Sequence, residues 1–204
     1  MYIEKIAYHL GRRDEVPNQE LAKELATTRN LEGIKEIGSY LSSKNKSEAS
    51  DCLKVLYEIG YIAPELIVDY KDQFIAFLNS KNNRMVWGAM IGLSGIAKVK
   101  PGEVYEFIDL ILDKIETGTV ITNVWGVYTL INIAKNGYYT QLKSILFSLQ
   151  NECRDVDFAK RAESIIEVIE EKDRDDFIEL LLLREPRLSA SASKRLKRTI
   201  KKYN

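Results

Sequence analysis

Histidine is nearly absent from this chain. His9 is the single one in 204 residues, which also hold only two cysteines and four prolines. A zinc site of the usual His/Cys kind has no material here. A Cys–His or Ser–His catalytic pair would rest wholly on His9, which reads as an ordinary, partly exposed histidine. Charge excess is absent too: 30 Lys+Arg face 30 Asp+Glu, a formal net charge of zero. A general nucleic-acid or membrane-surface binder carries a basic surplus that this chain lacks. No apolar run reaches the about 18 residues of a transmembrane helix, and Glu179 interrupts the block from Phe177 to Leu183. The start, Met1 to Leu10, mixes charge with apolar residues and has no secretory-signal core. Cys52 and Cys153 show no short spacing motif. They read as two reduced thiols of a cytoplasmic protein, with a disulfide open only if the fold joins them.

What is present is helix-forming and periodic. The hydrophobic content of 45% is too high for disorder, and the length suits one domain with a sizeable core. No segment alternates with period two. The 3.6-residue periodicity predicts helices over 2–10, 17–28, 31–42, 47–61, 64–78, 83–98, 102–116, 120–136, 139–150, 156–171, 174–184 and 190–203. Pro17, Pro64 and Pro101 stand at helix starts, and Gly118 and Gly137 at helix ends.

The chain also repeats itself. Tyr40-Leu41-Ser42-Ser43-Lys44-Asn45 lies over Phe77-Leu78-Asn79-Ser80-Lys81-Asn82 at an offset of 37, without a gap. The same offset aligns Leu56, Leu93 and Leu130, then Ile59, Ile96 and Ile133, and a step of 36 adds Ile166 and Ile169. A small residue recurs one turn earlier, as Cys52, Ala89, Gly126 and Ala162. Small, Leu/Ile and Ile at i, i+4 and i+7 make one helix face. Each unit is then a helical hairpin, and the small residue lets the neighbouring backbone approach. A hairpin alone cannot bury both its faces, so units must stack.

These columns, with Val86-Trp87-Gly88-Ala89, resemble the HEAT/armadillo class of α-solenoids over roughly residues 30–184. The resemblance implies an all-α, right-handed solenoid of stacked hairpins. The expected plan is one domain: N-terminal capping helices over 1–29, four repeats over 30–184 and a basic C-terminal helix over 185–204. Glu170 breaks the small-residue column of Gly60, Ala97 and Ala134, as suits an end unit. Including Gly11-Arg12-Arg13-Asp14-Glu15-Val16-Pro17-Asn18, the chain also looks like a group of microbial HEAT-type proteins, a likeness that brings no activity with it.

Positions opposite the core columns of the second helices ought to meet solvent. In the middle units they are unexpectedly apolar. Trp87, Ile91, Tyr128 and Ile131, with Val124, Tyr57 and Tyr61 beside them and Trp125 at the border, form a candidate stripe. Ser50, Lys54, Lys160 and Ser164 bound it. Trp and Tyr dominate interface energetics, and large apolar patches mark binding sites. The competing reading is a face covered by an N- or C-terminal helix, or shared between helices packed on several sides.

Catalytic constellations are missing. Gly92-Leu93-Ser94-Gly95 lies inside a helix and is no phosphate loop. Asp109 and Asp113 read as a solvated face, and Asp173, Asp175 and Asp176 as the opening of a helix. HEAT-like alkylpurine DNA glycosylases are an enzymatic precedent for a small solenoid, but no catalytic acid can be matched here residue by residue. From Arg184 onward the chain carries eight basic residues against Glu185, so +7, leaving −7 for the rest. Lys194, Arg195, Lys197, Arg198, Lys201 and Lys202 are a candidate contact for nucleic acid or an acidic partner, or merely complement a helix dipole. The expectation is a non-enzymatic scaffold binding a protein or peptide through the aromatic stripe, with no cofactor or metal. A nucleic-acid role is the alternative.

Overall fold

In the computed structural model, which describes residues 1–203, the repeated turn appears as a repeated set of hydrogen bonds. Asn45 caps α3 (Lys46–Ile62), its Oδ1 accepting from the backbone N–H of Ser47 at 3.0 Å. Asn82 caps α5 (Asn83–Ile96) the same way, through Arg84 N–H at 3.0 Å. Two residues earlier, the hydroxyl oxygens of Ser43 and Ser80 accept from the N–H of Asn45 and Asn82, both at 3.1 Å. One offset further on, Thr119 Oγ1 accepts from Thr122 N–H at 3.3 Å and starts α8 (Val120–Ile133). Satisfying these otherwise unpaired donors fixes where each second helix begins.

The chain divides into two compact units, Met1–Thr129 and Leu130–Asn204. The first holds α1 (Val16–Thr27), α2 (Leu31–Ser39), α3, α4 (Lys71–Phe77), α5, α6 (Pro101–Tyr105), α7 (Ile108–Thr117) and the start of α8. Within it α3 packs on both α1 and α5, and α4 packs on α5. The second holds the end of α8, α9 (Tyr139–Glu152), α10 (Asp155–Ile165), α11 (Arg174–Arg184) and α12 (Ala190–Tyr203). There α9 packs on α10 and α11, and α10 packs on α12.

The aligned columns are core. Leu56, Leu93 and Leu130 are fully buried, as are Ile59, Ile96 and Ile133, and Ile166 and Ile169 almost so. Cys52, Ala89 and Ala162 are sealed from solvent, and Gly126 is buried. The small residue is needed: a Cβ on Gly126 would collide with the Ile115 side chain, Cδ1 lying 3.0 Å from it. On the α3–α5 contact, a Cβ on Gly95 would sit 3.2 Å from the carbonyl oxygen of Gly60.

The first helices of the hairpins depart from expectation. The helix expected over 2–10 is only a 3-10 turn, Ile3–Lys5, followed by irregular turns. Side chains of later helices take its backbone donors. Glu36 Oε1 accepts from Ile3 N–H, Asn18 Oδ1 from Ala7 N–H and Asp51 Oδ2 from Tyr8 N–H, at 3.0, 2.8 and 2.8 Å. The span 64–78 begins as a 3-10 segment, Pro64–Tyr70, before α4. Its inward residues Ile67 and Tyr70 are three apart, which suits three residues per turn. The span 102–116 breaks at Phe107 into α6 and α7. The expected 156–171 helix stops at Ile165. Gly137, at φ 104°, turns the chain between α8 and α9.

Candidate functional site

Five aromatic side chains of the first unit touch in series across three successive second helices. Trp87 on α5 meets Tyr57 on α3 edge-on, centroids 6.0 Å apart. Tyr57 meets Tyr61 one turn on at 6.1 Å. Tyr61 reaches Trp125 on α8 at 5.7 Å, and Trp125 meets Tyr128 at 5.4 Å. Such tilted and edge-on pairs are favourable because ring edges are positive and faces negative. Tyr61 is 42% exposed, and Trp87, Trp125 and Tyr128 are partly exposed. Tyr57, Ile91 and Ile131 are buried, at 4%, 5% and 6%. Ser94, on the same side of α5, is buried too. The accessible part of the stripe is therefore Tyr61, Trp87, Val124, Trp125 and Tyr128, and Ile131 belongs to the second unit.

Lys54 closes the ladder at Tyr57. Its ammonium lies 4.8 Å from the Tyr57 ring centroid and pairs with Glu15 and Glu58 at 2.8 and 2.7 Å. Burial works against the Lys54 charge, but the two carboxylates outweigh it and raise the pKa overall. Burial pushes the Tyr57 phenol up to about 12, against the pull of Lys54, and raises Tyr61 as well, with Glu58 adding to the effect. The i, i+4 spacing of Lys54 and Glu58 was open to sequence reading. Nothing local marks Glu15, which reaches Lys54 from the residue before α1.

The other candidates resolve differently. His9 Nε2 lies within hydrogen-bonding distance of Glu48 Oε1, at 2.8 Å. Both cysteines are buried free thiols, and burial drives the Cys52 pKa up to about 12. Asp173 stands at the start of α11 without capping it. Its carboxylate instead accepts from the Tyr139 hydroxyl at 2.9 Å and pairs with Lys143, which holds its pKa below the ordinary value. Leu196 and Ile200 anchor α12 inward, while Lys194, Arg195, Lys197, Arg198, Lys201 and Lys202 stay exposed. Among the described residues, no group of three or more His, Cys, Asp or Glu is placed to hold a metal ion, and no helix is long and apolar enough to cross a membrane.

No protein-family profile and no curated protein matches the chain. Solved structures do. A designed armadillo repeat protein in complex with the peptide (KR)4 superposes with a TM-score of 0.64 at 13% identity, covering 100% of this chain and 98% of that one. A second designed armadillo repeat protein gives 0.60 at 11% identity, covering 100% and 98%. An engineered protein gives 0.57 at 16% identity, covering 98% and 96%. At such identities the likeness concerns the fold alone. Together with the buried repeat columns, it gives this chain an all-α helical-repeat fold of the HEAT/armadillo type.

Proposed function

We propose that this protein is a non-catalytic binding scaffold whose aromatic ladder takes an extended protein segment bearing basic side chains. The observation that carries this reading is the unbroken series Trp87, Tyr57, Tyr61, Trp125, Tyr128 across three second helices. Aromatic anchors on a preformed surface bind with little ordering cost. The ring faces attract cations, and Lys54 over Tyr57 is an example within the chain itself. Glu15 and Glu58 add negative charge at that end. The designed armadillo neighbour in complex with (KR)4 supports the same direction. Both thiols are buried and free, which fits a reducing compartment such as the cytoplasm.

Calorimetric titration with a peptide of alternating Lys and Arg tests the reading. Saturable binding is expected. Trp87→Ala or Tyr128→Ala should weaken it by about 2 kcal/mol, roughly thirtyfold, as interface anchors do. Absence of binding, or undiminished binding by folded variants, would refute it.

A further inference from the structure

The exposed face of α12 is a second surface, in the other unit. The helix carries six cations and no acid. At 100° per residue, Lys194, Arg195, Lys197, Arg198, Lys201 and Lys202 fall within an arc of about 160°. Leu196, Thr199 and Ile200 occupy the opposite side and are buried, in a helix that packs on α10. Two carboxylates answer the six charges. Glu163 pairs with Arg195 and, at 3.5 Å, with Arg198, and Glu185 pairs with Lys197 at 3.0 Å. Lys194, Lys201 and Lys202 pair with no described carboxylate, and Lys202 only leans on the Tyr203 ring, 5.1 Å from its centroid.

Dipole complementation does not account for this face. It favours Lys201 and Lys202 in the last turn, but it falls off within a turn and gives no reason for the cations from Lys194 to Arg198. A membrane surface fits poorly as well. Helices that lie on bilayers insert an apolar face, and here that face is already buried against the protein. The exposed arc holds no large apolar side chain and no Asn or Gln that would read base edges. What it offers is a rigid row of point charges about 6 Å apart from one turn to the next.

We propose that the α12 face docks the phosphate backbone of a nucleic acid, without reading its sequence. Charge complementarity is the argument. Double-stranded DNA presents a phosphate every ~3.4 Å of axis on each strand, and releasing its counterions supplies the driving force. Three unpaired lysines are expected to neutralise three phosphates, and the ion-paired arginines to add little.

Fluorescence anisotropy of a short labelled duplex DNA, and of an RNA duplex of equal length, tests this with the full chain between about 50 and 200 mM salt. The expected slope of log Kobs against log[salt] is about −2.7, for three phosphates at about −0.9 each. The triple variant Lys194→Glu, Lys201→Glu, Lys202→Glu should lose affinity about tenfold or more and flatten the slope. Its circular dichroism should stay native, because all three residues are exposed. Lys44→Glu with Lys81→Glu, two exposed changes in the first unit, should leave binding intact. Stronger binding of one duplex type would identify the preferred source of phosphate and support the proposal. Four outcomes would overturn it: no binding of either duplex at low salt, wild-type binding by the folded triple variant, equal loss in the first-unit control, or tighter binding of phosphatidylserine vesicles or a polyglutamate peptide than of either duplex.

Discussion

Tyr57 and Tyr61 lie one turn apart on the same helix and belong to the same ladder, yet truncating them should have different consequences. Tyr57 is 4% exposed, and its ring touches Trp87, Tyr61 and the Lys54 ammonium. Tyr57→Ala removes a nearly fully buried aromatic side chain and leaves a cavity, a change that costs about 3–5 kcal/mol. It also removes the cation–π partner of a half-desolvated lysine, so about 4 kcal/mol is a reasonable centre. Tyr61 is 42% exposed, so rather more than half of an about 150–250 Å² side chain is buried. At about 25 cal/mol per Å² this gives about 3 kcal/mol, with little cavity to add. For a chain of this length, 1 kcal/mol moves Tm by about 2–4 °C. Tyr57→Ala should therefore lower Tm by about 8–16 °C, and Tyr61→Ala by about 6–12 °C. Tryptophan emission during heating is the assay, because both tryptophans of the chain, Trp87 and Trp125, lie in the first unit. Equal losses, or a larger loss for Tyr61→Ala, would refute the division of the ladder into a buried support and an accessible edge.

Three further outcomes follow from the packing and the ionisation of the first unit. Gly126→Val should force Ile115 and its helix away from α8 and cost about 1–3 kcal/mol in chemical denaturation, whereas Ala89→Gly at the equivalent position should show no steric penalty. Asn82→Ala leaves the Arg84 N–H at the start of α5 without its partner and should cost about 1 kcal/mol by the same assay. Tyr57 resists ionisation, its pKa raised from 10.0 to about 12, so the folded state is favoured while the phenol stays protonated. That contribution is complete below pH 10 and is lost as pH rises through about 12. Absorbance at the phenolate band, read with circular dichroism, should show late-titrating tyrosines that ionise together with unfolding. Early ionisation in a folded chain would contradict the burial of Tyr57.

The repeat was legible because its physics is local. Asn45 and Asn82 cap helices through donors two residues away, and Leu56, Leu93 and Leu130 face inward because helical geometry carries their columns around. The N-terminal segment was not legible in this sense. Ile3, Ile6 and Ala7 have helical spacing and are buried, but Glu36, Asn18 and Asp51 capture the backbone donors that a helix needs. Partners that distant leave no trace in local periodicity. The same holds for the ladder. Angular position placed Tyr57 and Ile91 on a solvent side, because a single helix seen alone has one. In the folded unit α5 is enclosed on nearly all sides, so Met85 to Ala97 are buried apart from Trp87. Lys54 was placed outward by the same angular argument, and it is buried because Glu15 arrives from an element whose position the sequence of α3 cannot specify.

The most direct test of the account uses Trp87 and Trp125 themselves. Both belong to the ladder, so tryptophan emission, excited selectively, reports on that surface. A Lys/Arg peptide that lies across the rings should change the tryptophan emission saturably and shield it from a collisional quencher. Lys54→Met should strengthen the response, by releasing the carboxylates of Glu15 and Glu58 for the cations of the peptide. If emission and quenching stay unchanged at peptide concentrations that calorimetry shows to be saturating, the ladder is not the binding surface and the central claim fails.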